Sequence, residues 1–185
     1  MYRLFSCIVL ISLSIFMQAQ VYSCDFESAA ENSRWSLNHV NRVTQLENKW
    51  YIGSVGQFGT VGNNGLYISS DADSARAVYS ATAQMFTLAY CDVNMLVAGN
   101  YTITFDYRIG GSPSAKMHVW WLPQDINLAS ATSAAPTNWL AKGGVQIASA
   151  LRDTKIWKTF TGHFVIPASM TKPGRLVFVW ESAKS

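Results

Sequence analysis

Charge is scarce in this chain. Asp, Glu, Lys and Arg make up only 14% of its 185 residues, against about 25% in an ordinary soluble protein. The net charge of +3 comes from scattered basic residues, which excludes the clustered Lys/Arg surface of a nucleic-acid binder. Cysteine is scarcer still. None of Cys7, Cys24 and Cys91 belongs to a Cys-x-x-Cys pair or neighbours a histidine, so neither a thiol catalyst nor a zinc site is encoded. His39, His118 and His163 are too widely separated for metal-ligand spacing. Gly53, Gly56, Gly59 and Gly62 recur every third residue, but no Lys-Ser/Thr follows them, which excludes a phosphate-binding loop. No Gly-x-Ser-x-Gly elbow is present. The longest apolar run, Leu4 to Phe16, falls short of the ~20 residues a membrane-spanning helix needs.

That run has a different use. Arg3 precedes it and the polar stretch Met17-Gln18-Ala19-Gln20 follows, the order of basic, apolar and polar regions in a secretory signal peptide. Residues 1–20 are therefore expected to be removed, with the protein secreted or held at the cell surface. Val21-Tyr22-Ser23-Cys24 is alternatively a degraded lipoprotein signal with Cys24 lipidated, although Tyr22 is large where such signals want a small side chain. Export places Cys24 and Cys91 in an oxidising compartment, where a disulfide persists. Sequence leaves open whether their Cα atoms lie within bridging distance.

The remaining residues, 21–185, suffice for one domain with a real core. From Tyr101 to Ile109, Tyr, Ile, Phe, Tyr and Ile alternate with Thr, Thr, Asp and Arg. Strict period-two alternation of this composition is a half-buried strand. Gly110-Gly111-Ser112-Pro113 supplies turn chemistry, and Lys116 to Leu122 reads as the second strand of an antiparallel hairpin. Further strand-like runs are 50–52, 66–68, 77–79, 86–93, 163–166 and 175–181, each bounded by Gly, Asn, Asp, Ser or Pro. Many short strands with such punctuation predict an all-β, two-sheet antiparallel sandwich. The only candidate helix is Ala141 to Arg152, weakened by Gly143-Gly144. Gly53–Gly65 and Pro123–Gly143 read as long loops, the second carrying a solitary Trp139.

Several segments have a familiar form. Cys24-Asp25-Phe26-Glu27-Ser28 followed by Trp35, then Gly65-Leu66-Tyr67-Ile68-Ser69, then Ala98 to Arg108, and finally Trp157 to Pro167 with Gly174 to Trp180, resemble MAM-like and cleaved-adhesin-like jelly-roll domains of exported bacterial surface proteins. The resemblance spans nearly all of residues 21–185, and its motifs encode strands and turns rather than chemistry. It implies a jelly roll found in adhesins and in accessory regions of secreted hydrolases, with further domains of the same chain as partners. Such domains continue past the Arg175–Trp180 strand into a last strand, so a sandwich lacking that strand is expected here. The expected consequence is an unpaired edge near Phe26, filled if another chain supplies a strand.

Candidate functional residues follow from this frame. A jelly-roll glycosidase requires two carboxylates flanking the scissile bond. Here Asp106 shares its strand face with Arg108, which points to a surface ion pair, and Asp25 and Glu27 sit where the fold begins. A non-catalytic module is therefore expected. With 13% aromatic residues and seven tryptophans, the leading expectation is a carbohydrate- or glycoprotein-binding module in which flat indoles cover sugar C–H faces. Trp120, Trp139 and Trp157 are the expected platforms, with Asp106, Arg108 and His118 as polar partners. The alternative is a structural or protein-adhesion domain with its aromatics in the core. Asp71 and Asp73 offer two hard oxygen ligands for a structural calcium ion, well short of the six to eight that Ca²⁺ takes, and a metal-free Asx-type turn is the favoured reading of them. No other cofactor is implied.

Overall fold

The computed structural model describes residues 22–39, 47–54, 63–71, 76–82, 84–94, 97–111, 114–128, 137–152 and 154–182. The expected leader, residues 1–20, lies outside them, as do Asp73 and the Ser112-Pro113 turn. The strands are β1 (Trp35–His39), β2 (Lys49–Gly53), β3 (Gly65–Ser69), β4 (Met85–Val93), β5 (Gly99–Tyr107), β6 (Lys116–Pro123), β7 (Val145–Leu151), β8 (Lys158–Ile166) and β9 (Gly174–Ser182). Two short helices, α1 (Ala29–Asn32) and α2 (Thr137–Ala141), complete the order. Every strand pairing is antiparallel, as expected for an all-β sandwich. One layer is a five-stranded sheet ordered β1-β4-β9-β6-β7; the other comprises two separate ribbons, β2-β3 and β5-β8.

The alternating segment forms a strand, over Gly99–Tyr107 rather than 101–109, but its partner differs from expectation. β5 pairs along its whole length with β8, from Gly99 opposite Ile166 to Tyr107 opposite Lys158. β6 lies instead between β9 and β7 in the other layer. The reason lies in how many faces each strand buries. Tyr101, Ile103, Phe105 and Tyr107 of β5 are half-buried while Asn100, Thr102, Thr104 and Asp106 are exposed, the pattern of a sheet wet on one side. β6 is buried from Met117 through Pro123 with no alternation, so it belongs in the middle of a sheet covered on both faces. Consecutive strands β5 and β6 therefore belong to different layers rather than to one hairpin.

Both faces of the five-stranded sheet are indeed covered. Trp35, Ala89, Cys91, Met117, Val119 and Trp180 face the ribbons and pack with Trp50, Ile68, Phe105 and Phe160. On the opposite face Leu88, Trp120, Leu122, Val177 and Val179 pack under Ile126, Leu128 and Trp139. This second core comes from the segment that reads as a loop in sequence: residues 124–128 and α2 fold down over the sheet. Arg175 secures the segment, donating from Nη2 to the Gln124 carbonyl at 2.7 Å.

The expected helix over 141–152 is displaced. Residues 137–141 are helical and 145–151 form β7. Gly143, at φ +86°, takes the left-handed conformation that ends a helix, and its N–H donates to the Leu140 carbonyl at 3.0 Å. Gly144 then passes so close beneath α2 that a Cβ there would lie 2.8 Å from the Trp139 carbonyl oxygen and 2.6 Å from Leu122. The two glycines terminate a helix rather than interrupt one.

No strand forms around Phe26; the segment carries turns and α1. Its side chains account for the Asp-Phe-Glu…Trp pattern. Asp25 accepts from the Glu27 N–H at 2.9 Å. The Phe26 ring lies 5.5 Å from that of Trp35. The Glu27 carboxylate accepts from the backbone N–H and side-chain amide of Asn64, both at 2.8 Å, and from the Asn63 N–H. The motif thereby staples the N-terminal segment to the start of β3. Residues 77–79 also form no strand, but buried Asn48 fixes that region. Its amide donates to the Ser80 carbonyl at 2.8 Å and to Ser182 Oγ at 3.2 Å, and its Oδ1 accepts from the Ser80 N–H at 2.7 Å.

Candidate functional site

Among the described residues, the ribbons β2-β3 and β5-β8 cover the same face of the large sheet without joining each other. Between β3 and β5 lies an open cleft with a cavity volume of about 1030 Å³, at the upper end of the ~300–1,000 Å³ typical of ligand pockets. Its floor is the large sheet, through Met117, Phe178 and Trp180, and Trp50 of β2 contributes beside them. Leu66, Tyr67 and Ile68 of β3 form one wall, and Phe105 and Tyr107 of β5 the other. Asp25, Asn64, Asp106, Arg108, Lys155 and Trp157 add polar character.

The lining is held in place by contacts that the strand pattern dictates. Inward positions of β5 are aromatic apart from Ile103, and Phe105 packs on Phe160 at 5.0 Å and on Phe178 at 5.7 Å between ring centroids. Tyr79 meets Trp180 edge-on at 5.1 Å. Gly111, at φ +98°, passes so close to Tyr79 that a Cβ would stand 2.5 Å from its hydroxyl, fixing how the chain leaves β5. Buried Thr154 extends the β5-β8 pairing: its Oγ1 accepts from the Ile109 N–H and its own N–H donates to the Ile109 carbonyl, both at 2.7 Å. The indole N–H of Trp180 is buried without an acceptor among the described residues. The indole nitrogens of Trp35, Trp121 and Trp139 share that status, so it belongs to the aromatic packing and marks no ligand position.

The expected site residues divide between this cleft and the opposite face of the large sheet. Trp157, Asp106 and Arg108 come together at the cleft. The Arg108 guanidinium stacks 5.5 Å above the Trp157 ring, and Asp106 Oδ1 accepts from Thr159 Oγ1 at 2.6 Å. Trp120 and Trp139 do not belong there, and the expectation that they form a sugar platform is corrected. Both are 0% exposed and meet edge-on, 5.4 Å apart at 85°, in the second core. Trp120 alternates away from the Met117-Val119-Trp121 face, but the face it joins is covered by α2.

His118 is on that second face as well and is no ligand-binding group. Its Nδ1 accepts from the Ala150 N–H at 3.2 Å, and Nε2 lies 3.1 Å from a Glu181 carboxylate oxygen. With Nδ1 accepting, the proton resides on Nε2 and is donated to Glu181. Burial holds the imidazole pKa below its ordinary value despite the opposing pull of Glu181. Asp71 pairs with Arg76 at 3.1 Å, its backbone N–H donating to Ser69 Oγ. The other calcium-ligand candidate, Asp73, lies outside the described residues. Among the described residues no group of three metal-ligating side chains gathers.

The Cys24–Cys91 pairing that the sequence leaves open is not made, and both residues are free thiols. Tyr22 intervenes, its hydroxyl 3.4 Å from Cys91 Sγ and its ring beneath Arg34. Burial raises the pKa of Tyr22 and that of Cys91, so both remain protonated at neutral pH.

The chain matches no protein-family model, no curated protein and no solved structure. The site therefore has to be read from its own geometry. Sequence reasoning passed over most of the cleft lining because Trp50, Leu66, Phe105, Tyr107, Phe178 and Trp180 read as core. They are core on three sides; only the separation of the two ribbons opens the fourth. The signal available in sequence was the excess of inward aromatics on β5 and β9.

Proposed function

We propose that this chain is a non-catalytic binding domain of the protein-adhesion kind, carried on a secreted or cell-surface protein, with the cleft between β3 and β5 as its binding site. The observation that supports this reading is a large, aromatic-floored opening in a domain otherwise built for packing. Charges of both signs at the cleft, Asp25 and Asp106 against Arg108 and Lys155, suit recognition of a neutral or mixed surface. A jelly-roll connectivity and kinship with MAM-like modules are part of the same proposal, consistent with the antiparallel two-layer order and with the Asp25-Phe26-Glu27 staple. The expected export leader supplies the location.

A second reading, binding of carbohydrate, is favoured by one specific arrangement. Trp157 lines the cleft partly exposed, with Arg108 stacked on it and Asp106 nearby, so an indole and hydrogen-bonding groups adjoin. It retains one of the three tryptophans first expected to contact sugar.

The test is binding of the labelled domain to a glycan array and to a panel of purified surface glycoproteins, comparing the native chain with Leu66→Trp, which fills the cleft, and Val165→Lys on the exposed face of β8. Loss of binding in the first variant alone supports the proposal. Equal binding by all three proteins refutes the site. Loss confined to glycan spots on Trp157→Ala favours the second reading. Measurable hydrolysis of glycoside or peptide substrates, abolished in Asp106→Asn, refutes the non-catalytic assignment.

A further inference from the structure

We infer that the β5-β8 margin of the cleft takes an acidic glycan, a saccharide carrying carboxylate or sulfate groups, held by an exposed basic cluster beside the Trp157 indole. This rests on the second reading, carbohydrate at Trp157, and names the class of sugar. A change of register makes the cluster. β5 and β8 pair in step from Gly99 opposite Ile166 to Tyr107 opposite Lys158, which would next set Ile109 opposite Ile156. Ile109 pairs instead with buried Thr154, accepting from its N–H and donating to its Oγ1, both at 2.7 Å. Residues 155–157 are therefore surplus to the ladder and bulge beside Arg108, and a bulge re-aims the side chains it carries. Ile156 is left 68% exposed, Lys155 is exposed and Trp157 is half-buried.

Positive charge predominates there. Arg108 stacks on Trp157, Lys155 lines the cleft with both, Lys158 stands opposite Tyr107, and Arg152 precedes Thr154 in the chain; all four basic residues are exposed. Every ion pair among the described residues lies elsewhere. One described carboxylate, Asp106, stands at this margin, and Thr159 donates to it; Asp153 lies outside the described residues. Asp25, also at the cleft, belongs to the segment that Glu27 staples to the start of β3. The cleft is thus mixed in charge as a whole and cationic at this margin. Cations gathered in a cleft raise the local concentration of anions. Each exposed ion pair contributes little, so a ligand that repeats its charge and engages several cations at once is favoured. An acidic saccharide does so while its rings keep apolar C–H faces for Trp157 and Ile156. A guanidinium stacked by its face presents its N–H edge to a carboxylate or sulfate.

The test is titration calorimetry of the intact chain with two matched pairs of probes: a galacturonic acid hexamer against its fully methyl-esterified form, and a sulfated dextran hexamer against the unsulfated one. The inference expects the acidic member of at least one pair to bind about tenfold or more tightly than its neutral counterpart. That affinity should fall with added salt, which shortens the Debye length from ~10 Å at about 0.1 M to ~3 Å at about 1 M. Lys155→Gln combined with Lys158→Gln should weaken it about threefold or more, whereas Lys142→Gln, a loss of charge on the turn after α2, should leave it unchanged. Equal affinity for acidic and neutral members overturns the acidic class, and loss of that binding in Trp157→Ala then keeps the carbohydrate reading. Binding of none of the four sugars overturns both. Equal weakening by Lys142→Gln, or equal affinity for a single-stranded oligonucleotide or phosphatidylglycerol vesicles, overturns the inference too, because the attraction would then be to any polyanion.

Discussion

Replacing Trp120 with alanine separates a core tryptophan from a ligand platform. The side chain is completely buried and meets Trp139 edge-on, with Leu88, Leu122, Val177 and Val179 in the same cluster. Removing an indole from such a site loses its transfer free energy and leaves a cavity, together about 3–5 kcal/mol. Each kcal/mol lowers the melting temperature by about 2–4 °C in a domain of this size, so Trp120→Ala should melt roughly 6–20 °C below the native chain. Total stabilities of ~5–15 kcal/mol place the variant near the limit of folding, so Trp120→Phe is the companion that retains an aromatic ring. A double-mutant cycle with Trp139→Phe should show coupling of about 0.5–1.5 kcal/mol from the ring pair. The assay is urea and thermal denaturation followed by circular dichroism. A loss below about 1 kcal/mol for Trp120→Ala, within the range of surface substitutions, would refute the placement of α2 over the sheet.

Three further outcomes are expected. Asn48→Ala should lower the urea midpoint by an amount equivalent to about 1–3 kcal/mol, because the Ser80 N–H and carbonyl lose buried partners together; an unchanged midpoint would show that the node does not hold residues 77–82. Gly111→Ala should destabilise by more than about 1 kcal/mol, since it adds a Cβ at positive φ against Tyr79, whereas a neutral result contradicts that close approach. Because the folded-state pKa of His118 lies below its unfolded value, the unfolded chain gains the proton first on acidification. Stability is then fully present above pH ~6.5 and declines as pH falls toward the folded value. Urea titrations should show this decline in the native chain and a flatter profile in His118→Asn; parallel profiles would contradict the lowered pKa of His118.

The fold class was legible because the strands announce themselves. Tyr101–Ile109 alternates strictly, and the runs at 50–52, 66–68, 86–93, 163–166 and 175–181 all fall within observed strands. Strand partners were less legible. Proximity in sequence suggested that 101–109 pairs with 116–122, yet the unbroken apolar run at 119–122 already implied a strand buried on both faces. Read that way, it excludes a neighbour whose other face is wet. Trp139 was obscured by its setting of Ala, Ser, Thr and Pro, since nothing local reveals that five helical residues will close over a sheet. The cleft was the least legible feature: whether Phe105 and Trp180 are sealed or open depends on the distance between two ribbons, which no local pattern encodes. Trp157, Asp106 and Arg108 were found because they lie where β5 ends and β8 begins, at the margin of that opening.

The central claim is that the space between β3 and β5 is where this protein binds its partner. The most direct measurement is residue-resolved NMR of the labelled chain during titration with a glycoprotein retained by the domain. The account predicts shifts concentrated at Leu66, Ile68, Phe105, Tyr107 and the indole of Trp180, with Trp120 and Trp139 unmoved. Shifts centred on the Trp120 face, or on the exposed threonines of β5 and β8 with the cleft silent, would contradict it.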